Sequence, residues 1–405
     1  MPMVTLKGST LAQSLEPEYV TFVDDNTLIV VCQENNAFAT LNLTSLEFDG
    51  LHPLGFKSWE QHAIDASDKD DTLGNFKSWA NTWSMFNPDT IVGHHVADGT
   101  FYIATANEGD AQHYLEERII ACCNECAAEC AGHKDFPEEC EHDDSDTIDQ
   151  AGCLACKQSK IECKEYTGTE ANYETQGALE EYRARDLTLN PTIFPDADTI
   201  QANAQLGRLK VTATEGYTGT APTAQSIDGV IYDKIVGYGA RSFSLWKFDT
   251  TTRKISLAWD SNTQVSQKAF STPWTKYQFN TEPGDEGKEK RSDDKGAEPE
   301  GLAIGDITDS AGVERSYLFG GGERSNHIYI WDITNVSHPT YLSINSYSDC
   351  SETDLTKRQS LVSDVESMQF IPAASNPTGK DVLLTVGAVS GSLHVFEVVK
   401  EASVD

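Results

Sequence analysis

Long hydrophobic runs are missing from this chain of 405 residues. No stretch approaches the roughly 18 apolar residues that a membrane-spanning helix needs, so no transmembrane segment is expected. Basic side chains are scarce: 30 Lys and Arg stand against 64 Asp and Glu, a formal charge of -34. Such a surface repels phosphates and anionic membranes, which argues against nucleic acid as a partner and makes cations and basic groups natural companions. The N-terminus, MPMVTLKGSTLAQSLEPEY, lacks the basic region and long apolar core of a signal peptide. The chain is therefore either intracellular or has lost a leader. A recognisable nucleophile constellation is also missing, which leaves enzyme status open.

Cysteine, by contrast, is concentrated. Eight of the ten fall in one stretch: Cys122, Cys123, Cys126, Cys130, Cys140, Cys153, Cys156 and Cys163. An even number of thiols among Glu, Asp, Lys and Gly describes a segment that cannot build its own core and needs covalent staples. Four disulfides are the preferred reading, and they favour an extracellular chain. Zinc competes: Cys123-x2-Cys126 and Cys153-x2-Cys156 have paired-thiolate spacing, with His133 and His142 as spare ligands. Cys32 and Cys350 are read equally as a distant disulfide or as buried free thiols. The sequons at Asn42 and Asn335 are glycan acceptors if the chain is secreted.

The strand pattern is clearest at 101–111, FYIATANEGDA, an apolar run suited to two covered faces that breaks into a carboxylate-rich turn. Residues 16–46 read as a three-stranded antiparallel meander. Residues 51–87 read as a long ordered loop pinned by Trp59, Trp79, Trp83 and Phe86, with Asp65–Asp71 as its solvated tip. That tip lacks the glycine and distal glutamate of an EF-hand. His94 and His95 are adjacent on a strand and face opposite ways, so they read as ordinary strand histidines. The 170–186 stretch is rich in helix formers. Strands return at 207–211, 229–237, 242–248 and 254–259, and pairs such as HIYIWDI or SLHVFEV follow at irregular intervals.

Repeated hairpins of this kind predict an all-β fold, a β-propeller of four or five visible blades, with a cysteine-rich, partly helical insertion. A sandwich with insertions is the alternative. The expected division is 1–110 for the first part of the propeller, 111–202 for the insertion and 203–405 for the second part.

Acidic residues recur just before strands, at Glu16-Pro17-Glu18, Glu298-Pro299-Glu300 and Asp364-Val365-Glu366. If those strand starts converge, carboxylates gathered there raise one another's pKa unless a cation neutralises them. Glu18, Glu108, Asp110, Glu300 and Glu366 are thus candidate ligands for calcium or another divalent cation. The plainer alternative is that each caps its own turn through backbone N–H groups.

Five stretches, Pro53–Lys57 (PLGFK), Asp65–Asp70 (DASDKD), Thr105–Ala111 (TANEGDA), Gly239–Ser244 (GARSFS) and Arg291–Gly301 (RSDDKGAEPEG), resemble signature stretches of the choice-of-anchor I proteins. That group includes mesenchyme-specific cell-surface glycoprotein homologues and many sequences labelled alkaline phosphatase. The resemblance implies an extracellular or cell-surface propeller of seven-bladed type, incomplete or abbreviated here because relatives carry further strands before the position of Glu16. The biochemical role it implies is poorly defined; the acidic surface, the cysteine cluster, the sequons and the missing nucleophile constellation point to binding of a matrix component, a surface protein or a glycan. The phosphatase label implies the alternative of a metal-dependent phosphoesterase, for which Asp110, His113, Asp293, Asp294 and Glu300 would supply ligands, and Arg241 or Arg291 a phosphate clamp.

Overall fold

The computed structural model describes residues 10–111, 181–222, 227–273, 275–281, 287–308, 312–346 and 364–399. In chain order the strands begin with β1 (Val20–Asp24), β2 (Thr27–Cys32), β3 (Ala37–Asn42), β4 (Glu47–Pro53), β5 (Phe56–Ser58), β6 (Thr82–Met85), β7 (Ile91–His95) and β8 (Phe101–Asn107). They continue with β9 (Glu181–Arg183), β10 (Lys210–Thr212), β11 (Tyr217–Thr218), β12 (Ile231–Tyr232), β13 (Ile235–Gly237), β14 (Ser242–Asp249) and β15 (Lys254–Asp260). The last are β16 (Pro299–Thr308), β17 (Glu314–Gly322), β18 (His327–Asp332), β19 (Thr340–Ser346), β20 (Val365–Ile371), β21 (Val382–Gly387) and β22 (Ser392–Glu397). Short helices at Leu11–Ser14, Ala197–Ile200 and Gln264–Ser271 lie between them.

The outcome corrects the propeller expectation: the described residues form a β-rich mixed α/β fold of several open sheets, and no closed propeller is seen. Local hairpins do build the meanders β1–β4, β16–β19 and β20–β22. Two other sheets are woven from distant segments. One runs β15-β14-β8-β7, so that β8 pairs with β14 across the cysteine-rich region. The other runs β5-β6-β13-β10-β9 and contains a parallel pair, β6 with β13. A pattern of alternating side chains specifies which residues form strands and which face is covered; it does not specify a partner more than a hundred residues away.

The expected disulfide-stapled insertion is not seen either. Cys122–Cys163 and Cys350 lie outside the described residues, no disulfide occurs among the described ones, and Cys32 is a buried free thiol. Helix propensity at 170–186 is overridden where it can be followed: Glu181–Arg183 is extended and pairs with β10, and a single 3-10 turn follows at Ala184–Asp186. Pairing against a formed sheet outweighs propensity differences of a few tenths of a kcal/mol per residue.

Aromatic anchors join the sheets. Trp246 on β14 packs edge-on against Phe86 and Phe38, with centroids 4.9 and 5.9 Å away. Its Nε1–H donates to Thr105 Oγ1 on β8 at 3.0 Å. Burying a large aromatic of this kind stabilises by about 1.5–3 kcal/mol, and the satisfied indole N–H removes the cost of burying a polar atom. Trp331 on β18 donates to Gln264 Oε1 at the start of the Gln264–Ser271 helix. All seven residues of β8 are buried, as a strand covered on both faces requires.

The 51–87 stretch is not a loop throughout, since it carries the paired strands β5 and β6, but it is pinned as expected through Trp59, which is buried and donates to Ser84 Oγ at 2.7 Å. Its acidic tip is less solvated than the sequence suggests. Asp65 and Ser67 are buried, because Asp65 accepts from the Asn75 and Ser67 N–H groups and its main-chain oxygen accepts from Arg241.

Candidate functional site

Strand packing brings five chain segments to one place. β1 packs on β7, both β7 and β8 on β16, and β16 on β20. Glu18 stands two residues before β1, Asp89 two before β7, and Glu300 and Glu366 are the second residues of β16 and β20. Glu108 and Asp110 follow β8, which runs antiparallel to β7, and Glu323 follows β17, which runs antiparallel to β16. Starts and ends of neighbouring strands therefore deliver these carboxylates to the same end of the sheets.

Two of them are aimed by the same backbone device. Glu298 and Asp364 hold left-handed φ values of 45° and 56°. Directly after each, the register shifts, between Pro299 and Leu302 on β16 and between Val365 and Ser367 on β20. Glu300 and Glu366 fall within these bulges, which re-aim side chains that a regular pleat would alternate across the sheet. On the opposite side the chain carrying Glu108 crosses the start of β14 very closely. A Cβ on Gly239 would lie 1.9 Å from Glu108 O, and one on Gly109, at φ 107°, would lie 2.4 Å from Gly239 N. Only glycine at both positions lets the two backbones meet there.

Glu108, Glu300 and Glu323 each place a carboxylate oxygen within 4.8 Å of the others. Three oxygens so spaced can share one ion at the metal–oxygen distance of about 2.4 Å that calcium prefers. Glu108 is oriented from outside: Gln33 Nε2 donates to its Oε2 at 3.0 Å and Lys295 Nζ to its Oε1 at 2.9 Å. Glu323 Oε1 lies 3.4 Å from Arg324 Nη2. Glu300 is different, because it is 6% exposed and its Oε2 has no hydrogen-bond partner. Glu323 Oε2 is likewise buried without one. Unsatisfied buried carboxylate oxygens are costly, so their presence at a point of convergence calls for a ligand or a proton.

The electrostatics agree. Burial first, then Glu108, Glu323, Asp89 and Glu366, push the Glu300 carboxyl up to about 12. Burial and then Glu298 push Glu323 to about 9. Asp89 rises to about 7 through burial, Glu108 and Glu366. Glu108 also rises to about 7, because burial outweighs the opposing effect of Lys295. Glu18, although its residue surface is exposed, has a partly covered carboxyl that burial, Asp89 and Asp110 raise to about 7. Its neighbour Glu34 reaches about 9 through burial and Glu18. Lys295, bridging Glu108 and Asp110 at 2.9 Å each, is held charged well above the ordinary lysine range by those partners, against the effect of burial.

All five carboxylates singled out in the sequence thus act on this one region, though only Glu108 and Glu300 reach the three-oxygen cluster. Glu323, Asp89, Gln33 and Lys295 escape sequence reasoning. Glu323 carries one usable signal, a glutamate directly after the Gly320–Gly322 run that ends a strand. Lys295 sits within RSDDKG, where its charge reads as a solvated turn.

Of the groups expected for a phosphoesterase, Glu300 and Asp110 lie in this region, whereas Arg241, Asp293, Asp294 and Arg291 are engaged elsewhere. Arg241 is buried and donates to the main-chain oxygens of Asp65, Ser292 and Asp294. Asp293 pairs with Arg183 and Arg208. Asp294 pairs with Lys210 and with Arg291, whose Nε also bonds Glu298. These residues bind loops to sheets. His113 lies outside the described residues. His94 is buried, and His95 contacts Val23 O through Nε2, so neither joins a ligand cluster.

A model of the choice-of-anchor I domain matches residues 2–336. The chain belongs to the choice-of-anchor I domain family. Among curated proteins it is 24% identical over 324 residues to "Mesenchyme-specific cell surface glycoprotein" of Strongylocentrotus purpuratus, covering 76% of this chain and 34% of that protein. It is 29% identical over 210 residues to "Gigasin-3a" of Magallana gigas, covering 49% of this chain and 67% of that one. The chain thus spans about a third of the sea-urchin relative's length. No solved structure matches it. Membership in the choice-of-anchor I family and the sea-urchin relative support the extracellular or cell-surface location expected from the sequence. No helix among the described residues is long and apolar enough to cross a membrane.

Proposed function

We propose that this choice-of-anchor I protein is an extracellular or cell-surface binding protein that holds a hard divalent cation, calcium foremost, at Glu108, Glu300 and Glu323. The observation that carries the reading is Glu300 Oε2, buried without a partner inside a group of three converging carboxylates. The donors are oxygen only, which suits calcium or magnesium and not a soft, thiolate-seeking ion. A bound cation would neutralise repulsion among these carboxylates and fix the three segments that carry Glu108, Glu300 and Glu323 relative to one another, giving a rigid acidic face for a matrix or surface partner. The printed name of the sea-urchin relative and the charge of -34 support that setting. Isothermal calorimetry of calcium into the wild-type chain and into Glu300→Gln tests it. Saturable binding that E300Q loses is the expected result; no binding to the wild type would end the reading.

A further inference from the structure

Lys295 stands between two groups of acids. Its Nζ is 2.9 Å from Glu108 Oε1 and 2.9 Å from Asp110 Oδ2, and its side chain is 16% exposed. Glu108 shares the cluster with Glu300 and Glu323, each of which carries a buried Oε2 with no hydrogen-bond partner. Asp110 in turn interacts electrostatically with Asp89 and with the exposed Glu18. Arg291 pairs with Glu298, and Arg324 pairs with Glu298 and lies 3.4 Å from Glu323, so it touches the cluster but none of the approach acids. Lys295 therefore contacts both the cation cluster, at Glu108, and its acidic approach, at Asp110.

An ammonium fixed beside a metal position acts in two opposed ways. It holds Glu108 in place as a ligand, through a charge-assisted hydrogen bond. It also repels the incoming ion, in proportion to that ion's charge. We infer that Lys295 is the specificity-determining residue of the cation site, a resident positive charge that admits a divalent ion and penalises ions of higher charge. This rests on the cation reading above, which it deepens by naming how the site chooses its ion.

Coulomb repulsion gives the inference a signature that a purely structural role would lack. Loss of scaffold weakens every ion alike, whereas loss of a unit positive charge favours a trivalent ion over a divalent one. At separations near 4 Å the additional unit of ion charge is worth about fivefold or more in affinity even at the dielectric of water. The experiment measures calcium and lanthanum affinities by calorimetry for the full chain, Lys295→Met and Lys295→Arg. The lanthanum-to-calcium affinity ratio is expected to rise by about fivefold or more in K295M and to stay near the wild-type value in K295R. Should K295M fail to fold, Lys295→Gln, which can still donate to both carboxylates, carries the same expectation. An unchanged ratio in the neutral variants, with wild-type binding intact, overturns the role of Lys295 and leaves the cation site standing. A wild type that binds neither ion overturns both.

Discussion

Glu300 and Glu366 occupy equivalent places in two different sheets: each lies two residues after a left-handed acidic residue, within a bulge at the start of the first strand. Glu366 is half-buried and Glu300 nearly fully buried. The repeat Glu-Pro-Glu and Asp-Val-Glu is thus a repeated backbone geometry as well as a repeated composition. It turns carboxylates toward the end of the sheets where Glu108 and Glu323 arrive from antiparallel neighbours.

The close crossing behind Glu108 yields a stability prediction. Gly239→Ala places a methyl against Glu108 O at a position whose φ is 70°. The left-handed conformation alone costs roughly 1–2 kcal/mol for a residue with a Cβ, and the overlap adds to it. Urea unfolding of G239A should show a loss above about 2 kcal/mol. A loss below about 0.5 kcal/mol would mean the two backbones do not meet there.

A buried ion pair outside the site gives a second prediction. Lys57 Nζ lies 2.9 Å from Asp260 Oδ1, with the two side chains 4% and 8% exposed, and it also donates to the Ala240 and Asn262 carbonyl oxygens. Asp260→Ala leaves an ammonium buried without its counter-charge, which costs about 3–5 kcal/mol. Equilibrium unfolding checks this, and a neutral substitution would show that water reaches Lys57.

How much of this was legible in the sequence differs between strands, pairings and site. Phe101–Asn107, Ser242–Asp249 and His327–Asp332 announce themselves through apolar content and turn residues at their ends. That Phe101 pairs with Phe248 rather than with a nearer strand is not written in either segment, since β8 is covered on both faces and β14 on nearly all of its length, and neither alternation selects a partner. Glu108 was visible because it breaks an apolar run, and Glu300 and Glu366 because acidic residues recur just before strands. Glu323 and Lys295 were not, because their roles come from an antiparallel return and from a distance across the sheets, and no local pattern records those.

Stability should also depend on pH in a stated direction. Glu34 and Glu323 are both raised to about 9 from the ordinary 4.5, by burial first and then by Glu18 and Glu298 respectively. The folded chain keeps protons that the unfolded chain releases. Stability from these groups is full below the unfolded value of about 4.5 and is lost as pH rises through about 9. Thermal unfolding without divalent cations should therefore show a melting temperature that falls from about pH 5 to about pH 9. A rising profile would mean that the acids are solvated and independent.

Cation binding should offset that loss. At a calcium concentration about a hundredfold above Kd, a ligand that binds only the folded state stabilises by about 2.7 kcal/mol. Wild-type protein at neutral pH should melt higher with calcium present, and Glu300→Gln should not respond. Equal responses in both would place the ion away from Glu300.

In the proposed site one cation sits among Glu108, Glu300 and Glu323. Crystals grown with manganese, collected at a wavelength where its anomalous scattering is strong, test it most directly. An anomalous peak is expected within coordination distance of all three carboxylates, with Lys295 still bridging Glu108 and Asp110. A well-ordered cluster with no peak, or a peak bound only by exposed acids elsewhere, would contradict it.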